Sequence, residues 1–270
     1  MLDSKKEKRE DSQMNEKLLM ETVSLAGKIM LASGSEVYRV EETMKYMLLK
    51  SNYPVAEALV LATGLFVTLD DPNRETITIT RRVPARSTNV NRICEVNEIS
   101  RDFCSNKITV EDAYDKLLKI EKESIYSKRW KFLGIVGVSA FFAPIFGGTT
   151  MDVIGAGLVG VILALADCLV KKIKLNDFFT NAFCSFVVAV AATVIKKFFL
   201  PECSSDVMII SAIMSLVPGV AFTTSIRDTL NGDYASGSAR MLEAIVVALA
   251  VAAGVGLGLV SWDAFWRWIA

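Results

Sequence analysis

Charge is spread unevenly along this chain, and that asymmetry limits what it can fold into. Of its 60 formal charges, 43 lie in residues 1–131 (22 basic, 21 acidic) and only 17 in residues 132–270. The second half is a run of long apolar stretches separated by short polar breaks. A soluble bundle would have to bury most of that half on every side. The pattern reads instead as a water-facing domain followed by a membrane domain. Lys+Arg and Asp+Glu balance at 30 each, so the chain lacks the overall basic footprint of a nucleic-acid binder. It contains no His, which excludes His-based triads and HExxH zinc sites. The five cysteines have an odd count and no CxxC spacing, the usage of reduced, mostly buried thiols. No metal and no cofactor is expected. From Asp3 to Lys17 the chain is charged with no apolar core, unlike a signal peptide.

Five segments can cross a bilayer: 132–148, 153–170, 178–200, 207–226 and 241–260. At 1.5 Å per residue they reach about 25–30 Å or more, against a hydrocarbon core of roughly 30 Å. With the first half cytoplasmic, the inner flanks hold Lys128, Arg129, Lys131, Lys171, Lys172, Lys174, Arg227 and Arg240, and the outer flanks Lys196, Lys197 and Arg267. This asymmetry predicts a plasma (inner) membrane protein with a cytoplasmic N-terminal domain and an external C-terminus. Trp262, Phe265, Trp266 and Trp268 in 262–270 are expected to anchor at the outer interface. Small residues recur every four positions: Ala156, Gly160 and Ala164; Ser185, Ala189 and Thr193; Ala250, Gly254 and Gly258. Such stripes let helices pack closely in lipid, and packing is their expected role.

Polar positions within the spans carry more functional information. Asp152 follows Gly147-Gly148-Thr149-Thr150, Asp167 lies near the cytoplasmic end of the second span, and Glu243 near the start of the fifth. A carboxylate at mid-bilayer costs about 2.5–3.5 kcal/mol, so one that persists faces a wet cavity or a partner; near an interface it can simply meet a lysine or arginine. In the fourth span Pro218 precedes Gly219. Proline has no N–H and its ring presses on the carbonyl of Met214, so the helix is expected to kink or open there. Opened backbone beside Ser215 and Thr223 can coordinate a small polar solute, or the kink can be purely structural. The following link, from Arg227-Asp228 through Asn231-Gly232-Asp233 to Arg240, is dense in charges and turn formers.

In the first half, residues 1–13 read as a disordered charged tail, and 14–130 as an α+β domain. Leu19, Val23, Ala26 and Met30 mark one amphipathic helix ending near Gly34; Val37, Val40, Met44 and Met47 mark a second. Strands are expected at 58–62, 65–69 and 76–80, with Asp70-Asp71-Pro72-Asn73 turning between the last two. Helices at 89–105 and from a Thr109/Asp112 capping box complete the order ααβββαα, ahead of a five-helix transmembrane bundle over 131–261. Arg39, Glu41 and Glu42 share the second helix, where charge is more often surface than catalytic. No Walker loop, GxSxG elbow or GxGxxG appears.

The order of elements, together with Ala32-Ser33-Gly34-Ser35-Glu36-Val37-Tyr38-Arg39-Val40-Glu41-Glu42-Thr43, Thr63-Gly64-Leu65-Phe66-Val67, Gly147-Gly148 with Asp152, and the run from Val217-Pro218-Gly219 to Arg240 and Glu243, resembles the threonine/serine exporter (ThrE-type) family. The likeness covers about residues 14–260. It implies secondary export of small polar metabolites: threonine and serine, or dicarboxylates such as succinate in related two-component systems. Long members join this half to a second hydrophobic half, so the chain looks like a split form whose partners would be a small separate membrane subunit or further copies of itself. On this reading the substrate contacts Ser215, Pro218, Gly219 and Thr223, and Asp152, Asp167 or Glu243 carries a coupling proton. Arg227 and Asp228 gate the cytoplasmic mouth as an ion pair, within the link that includes Asn231, Asp233 and Arg240. A membrane-tethered hydrolase centred on Arg39 and Glu42, or a regulatory scaffold built on the soluble domain, is the alternative.

Overall fold

The structure is a computed structural model that describes residues 2–83, 87–123, 126–173 and 175–269; Lys174, counted above on an inner flank, lies outside them. The chain divides into two compact units: Met1–Glu123 with Val220–Met241, and Ser124–Gly219 with Leu242–Ala270.

In the first unit, α1 (Leu2–Ala32) is helical from Leu2, through the charged stretch expected as a tail. Its Lys, Glu, Arg and Gln residues are good helix formers even without an apolar face. The predicted periodicity is realised further along. Leu19, Val23, Ala26 and Met30 are buried, as are Val37, Val40, Met44 and Met47 of α2 (Val37–Leu48). A 3₁₀ turn (Leu49–Ser51) leads to β1 (Val55–Leu61), β2 (Gly64–Asp70) and β3 (Ile77–Arg82), an antiparallel sheet in the order β1-β2-β3. Alternation sends Ala58, Val60, Leu65, Val67 and Leu69 into the same core as the helices. That core is closed by Val96, Ile99 and Phe103 of α3 (Val90–Cys104) and by Val110, Ala113 and Leu117 of α4 (Val110–Lys122). The Thr109/Asp112 capping box is present, with Asp112 N–H donating to Thr109 Oγ1 at 3.2 Å and Thr109 N–H to Asp112 Oδ2 at 3.3 Å. Each fully buried large side chain, such as Met20, Leu31, Met44 or Leu65, contributes about 1.5–3 kcal/mol before the entropy of ordering is subtracted.

The second unit is helical: α5 (Lys128–Phe142), α6 (Thr150–Ile173), α7 (Asp177–Phe198), α8 (Ser205–Ile213) and the part of α10 (Tyr234–Ile269) beyond Met241. Among the described residues three helices are long and apolar enough to cross a membrane, Thr150–Ile173, Asp177–Phe198 and Tyr234–Trp268, and they match three of the five expected spans. The first expected span is only a 15-residue helix, α5, reaching about 22 Å at 1.5 Å per residue. It ends in a chain of turns at Ala143-Pro144, closed where Gly148 N–H donates to the Ala143 carbonyl at 2.9 Å. The fourth is not one helix either. It is split into the nine-residue α8 and the twelve-residue α9 (Gly219–Leu230), because Pro218 cannot donate to Met214 and the backbone between them turns instead.

The small-residue stripes are packing faces within this unit. Ala156, Ala164, Ser185, Ala189 and Ala250 are fully or almost fully buried. The α7 and α10 stripes meet: a Cβ at Gly254 would overlap the Ala182 carbonyl oxygen, and one at Gly258 would lie 2.7 Å from Ala189 Cβ. Such close backbone approach is what small residues permit where lipid offers no hydrophobic drive. The aromatic segment 262–269 is part of α10. The Trp266 ring lies edge to face with Trp262 (centres 5.7 Å apart) and tilted against Phe198 (6.1 Å), and Lys197 Nζ sits 3.0 Å from its ring centre.

Candidate functional site

Within the first unit, the charged link of the sequence becomes a helical hairpin. α9 ends in a Schellman turn. Gly232 at φ +92° donates to the Thr229 carbonyl (3.1 Å) and Asp233 N–H donates to the Asp228 carbonyl (2.9 Å). Asp233 then caps α10, its Oδ1 accepting Ser236 N–H at 3.1 Å. Gly237 lets the two helices close on each other, since a Cβ there would overlap Thr229 Oγ1. Asn231 sits exposed in the turn. The turn-forming Asn-Gly-Asp is therefore the apex of a tight antiparallel pair, with Arg227 and Asp228 one turn before it and Arg240 two turns after.

That hairpin docks onto the loop between α1 and α2 and onto the β1–β2 turn. The α1 helix closes with a second Schellman turn at Gly34 (φ +85°), which delivers Ser35 and Glu36 to the start of α2. Glu36 occupies the N-cap position but makes no side-chain cap. Asp228, 191 positions away, supplies it: its Oδ1 accepts Val37 N–H at 3.0 Å. A carboxylate here satisfies an orphan helix donor and meets the positive end of the α2 dipole. Arg240 completes the arrangement, with Nη1 3.3 Å from Asp228 Oδ2 and Nη2 donating to the Ser35 carbonyl at 2.8 Å. Both side chains of this pair are buried, Arg240 at 4% and Asp228 at 0% exposure. Burial pushes the Asp228 carboxyl above the usual carboxylate range, opposed by the Arg240 guanidinium and the Val37 N–H. Around the pair, Arg227 Nη1 holds Glu36 Oε1 at 2.7 Å, Arg39 lies 3.7 Å from the other Glu36 oxygen, and Ser236 Oγ accepts Ala62 N–H at 3.1 Å.

The structure thus brings together Arg227, Asp228, Asp233 and Arg240, but not in the pairing expected. Arg227 and Asp228 do not form the gate pair with each other. Adjacent helix residues point about 100° apart, so Asp228 turns inward to Arg240 while Arg227 reaches Glu36. Ser35, Glu36 and Ser236 complete the arrangement and were not singled out as site residues from the sequence. The helix stop at Gly34 is readable locally, but a partner 191 or 205 residues distant is not.

The remaining candidates are dispersed. In the second unit Asp152 is buried and fully engaged: Oδ2 accepts Thr149 N–H (2.7 Å) and Thr149 Oγ1 (2.8 Å), and Oδ1 accepts Ser204 N–H (2.6 Å). It ties the start of α6 to the residue that caps α8. Asp167 pairs with Lys171 one turn along, and Glu243 is exposed on α10. Ser215 is exposed with its hydroxyl donating to the Ala212 carbonyl (3.1 Å), and Gly219 N–H turns back to the Val217 carbonyl (2.9 Å). Thr223, in the first unit, donates to the Val220 carbonyl at 3.0 Å. On α2, Glu41 accepts Val60 N–H at 2.9 Å and so covers the edge of β1. Arg39 and Glu42 line an open cleft of about 540 Å³ against α3. It holds one carboxylate and no paired acids, and among the described residues no group of three or more His, Cys, Asp or Glu could hold a metal.

Residues 21–262 match a family model described as "Putative threonine/serine exporter". The chain belongs to the threonine/serine exporter (ThrE) family. Relatives include a protein of Mycobacterium tuberculosis named "Probable threonine/serine exporter", 22% identical over 249 residues, covering 90% of this chain and 46% of that one. Another is the "Threonine/serine exporter" of Corynebacterium glutamicum, 25% identical over 220 residues, covering 75% and 45%. An uncharacterized Schizosaccharomyces pombe protein is 23% identical over 177 residues, covering 63% and 21%. The chain therefore spans less than half the length of the curated relatives it matches. No solved structure matches it. Family membership and three membrane-length apolar helices together make this ThrE member a membrane protein.

Proposed function

We propose that this chain is one component of a secondary exporter of small polar metabolites, with threonine and serine as the leading substrates, dicarboxylates as the further class, and protons as the coupling ion. The observation that carries the reading is the family match over residues 21–262. The helix break supports it: opened backbone at 214–219, beside Ser215 and one helical turn before Thr223, is the kind of interruption that lines a solute path in membrane transporters. Asp167 and Glu243 are the proposed proton carriers. Asp152, held by three hydrogen bonds, is assigned to positioning the Gly147–Thr149 turn against α8.

In this scheme the Asp228–Arg240 pair replaces Arg227–Asp228 as the gate element. α9 starts at the break and ends in the hairpin that this pair holds on α2, so releasing the pair frees one end of α9. The N-terminal unit faces the cytoplasm, and a second membrane subunit, or another copy, completes the path.

The test is efflux from proteoliposomes holding the chain with and without its partner, across serine, threonine and succinate, with an imposed pH gradient. Substrate-specific, gradient-driven flux is expected. A Pro218→Ala protein that inserts normally and exports at the wild-type rate removes the break from the mechanism, and absence of flux for every solute with every partner refutes the reading.

A further inference from the structure

The cleft between α2 and α3 contains charges that the fold itself does not use. Arg39, Glu42 and Thr43 reach it from α2, and Asn97 and Arg101 from α3. Its volume of about 540 Å³ falls in the range of small-molecule sites, roughly 300–1,000 Å³. Among the described residues Glu42 and Arg101 form no ion pair, with each other or with a neighbour, although they line one concavity with opposite sign. Arg39 is held only loosely, 3.7 Å from a Glu36 carboxylate whose other oxygen Arg227 grips at 2.7 Å. Thr43 Oγ1 donates to the Arg39 carbonyl at 2.8 Å and lies 3.4 Å from Asn97 Oδ1. The Asn97 side-chain amide thus stands at the wall of the cleft beside Thr43.

We propose that this cleft is a binding site for a free α-amino acid. The polar groups separate by function. Two guanidinium groups and the Asn97 amide donate, which suits a carboxylate; Glu42 only accepts, which suits an ammonium. A zwitterion satisfies both ends. A dicarboxylate places its second anion near Glu42, and a simple amine leaves both arginines unanswered. The unsatisfied end is what discriminates between them. The site lies wholly in the first unit and shares no residue with the helix break, so its ligand binds independently of the transport reading. If that reading also holds, the amino acid is an effector reporting on a pool of the same chemistry as the cargo.

Cys104 lines the same cleft and is partly buried, whereas Cys94 on the same helix is exposed, so their alkylation rates give a local readout and an internal control. The experiment uses the full chain in detergent, alkylated with a maleimide and read peptide by peptide by mass spectrometry, with L-serine, L-threonine, succinate or ethanolamine present at millimolar concentration. Serine and threonine are expected to slow labelling of Cys104 but not of Cys94, and succinate and ethanolamine to do neither. Arg101→Ala should raise the concentration for half-protection by about tenfold or more, as expected for loss of one charge-assisted contact. Glu42→Gln should abolish the preference for serine over succinate. Neither side chain belongs to the buried core, so neither change removes core packing. An unchanged Cys104 rate with serine and threonine overturns the proposal, as does equal protection by succinate in the wild-type chain or protection that survives both substitutions. A chain that shows protection but no flux in vesicles keeps this site and loses only the transport reading.

Discussion

Replacing Arg240 with Met removes the guanidinium but keeps most of the side-chain volume. Asp228 is then left with Val37 N–H as its remaining charge-stabilising contact, at 0% side-chain exposure, and the Ser35 carbonyl loses a donor at 2.8 Å. Removing one member of a buried ion pair costs about 3–5 kcal/mol, because the survivor stays desolvated without its counter-charge. That is two to four orders of magnitude in the opening equilibrium, at about 1.4 kcal/mol per tenfold. The four tryptophans (Trp130, Trp262, Trp266 and Trp268) all lie in the second unit, so their fluorescence would not register the change. Hydrogen–deuterium exchange of the peptides covering 35–48 and 225–241 would. Both should lose protection together in Arg240→Met, while α6 and α7 stay as in the wild type. The double variant Asp228→Asn/Arg240→Met should regain much of it, since the amide oxygen introduced at position 228 would still accept Val37 N–H and no charge would be stranded. Unchanged exchange in the single variant, or a double variant no better than the single, would refute the assignment of this pair as the element that holds the hairpin.

Three further outcomes follow from the same contacts. The Asp228 carboxyl titrates above its unfolded value near 3.9, so its contribution to stability is present below that pH and is lost as the pH rises through the folded value. Asp228→Asn should flatten that part of the stability–pH curve in thermal melts read by exchange, and an unaltered slope counts against the burial argument. Asp152→Ala strands the Thr149 and Ser204 N–H groups and should cost about 1.5–3 kcal/mol for each charge-assisted bond lost; a detergent-stability assay showing no fall in melting temperature would contradict it. Gly254→Leu forces side-chain atoms into space where even a Cβ would overlap the Ala182 carbonyl. It should destabilise α7–α10 packing by about 1–3 kcal/mol or more, read as earlier aggregation on heating, whereas the same change at the open position Gly256 should be nearly silent.

How much of this could be read in advance depends on the range of the interaction. The ααβββαα order follows from periods of 3.6 and 2 in the side chains and from local punctuation at Gly34, Asp70–Asn73 and Thr109/Asp112. Each of these acts within a few residues, and each is found in place. The small stripes likewise announced close packing, because nothing else explains Gly and Ala at four-residue spacing in an apolar run. Pro218 marked a disturbance for a covalent reason, its missing N–H. Hydropathy overreached at 132–148 and 207–226, where averaging over a window passes across the turns that end α5 and separate α8 from α9.

The partners of the polar residues belong to a different class of question. Composition placed Arg227, Asp228 and Arg240 in one link and made an ion pair between neighbours the natural expectation. Which carboxylate meets which guanidinium depends on helix phase and on a contact with the N-terminus of α2 that lies 191 positions away in the chain. Sequence alone determined the ααβββαα elements of the first half, three of the membrane-length helices and the family, since these rest on local geometry and on the cost of exposing apolar surface. The tertiary structure decided that Asp228 caps a distant helix and that Arg240 neutralises it. A buried charge takes whichever partner the packed backbone brings within about 3 Å, and no local rule specifies that partner.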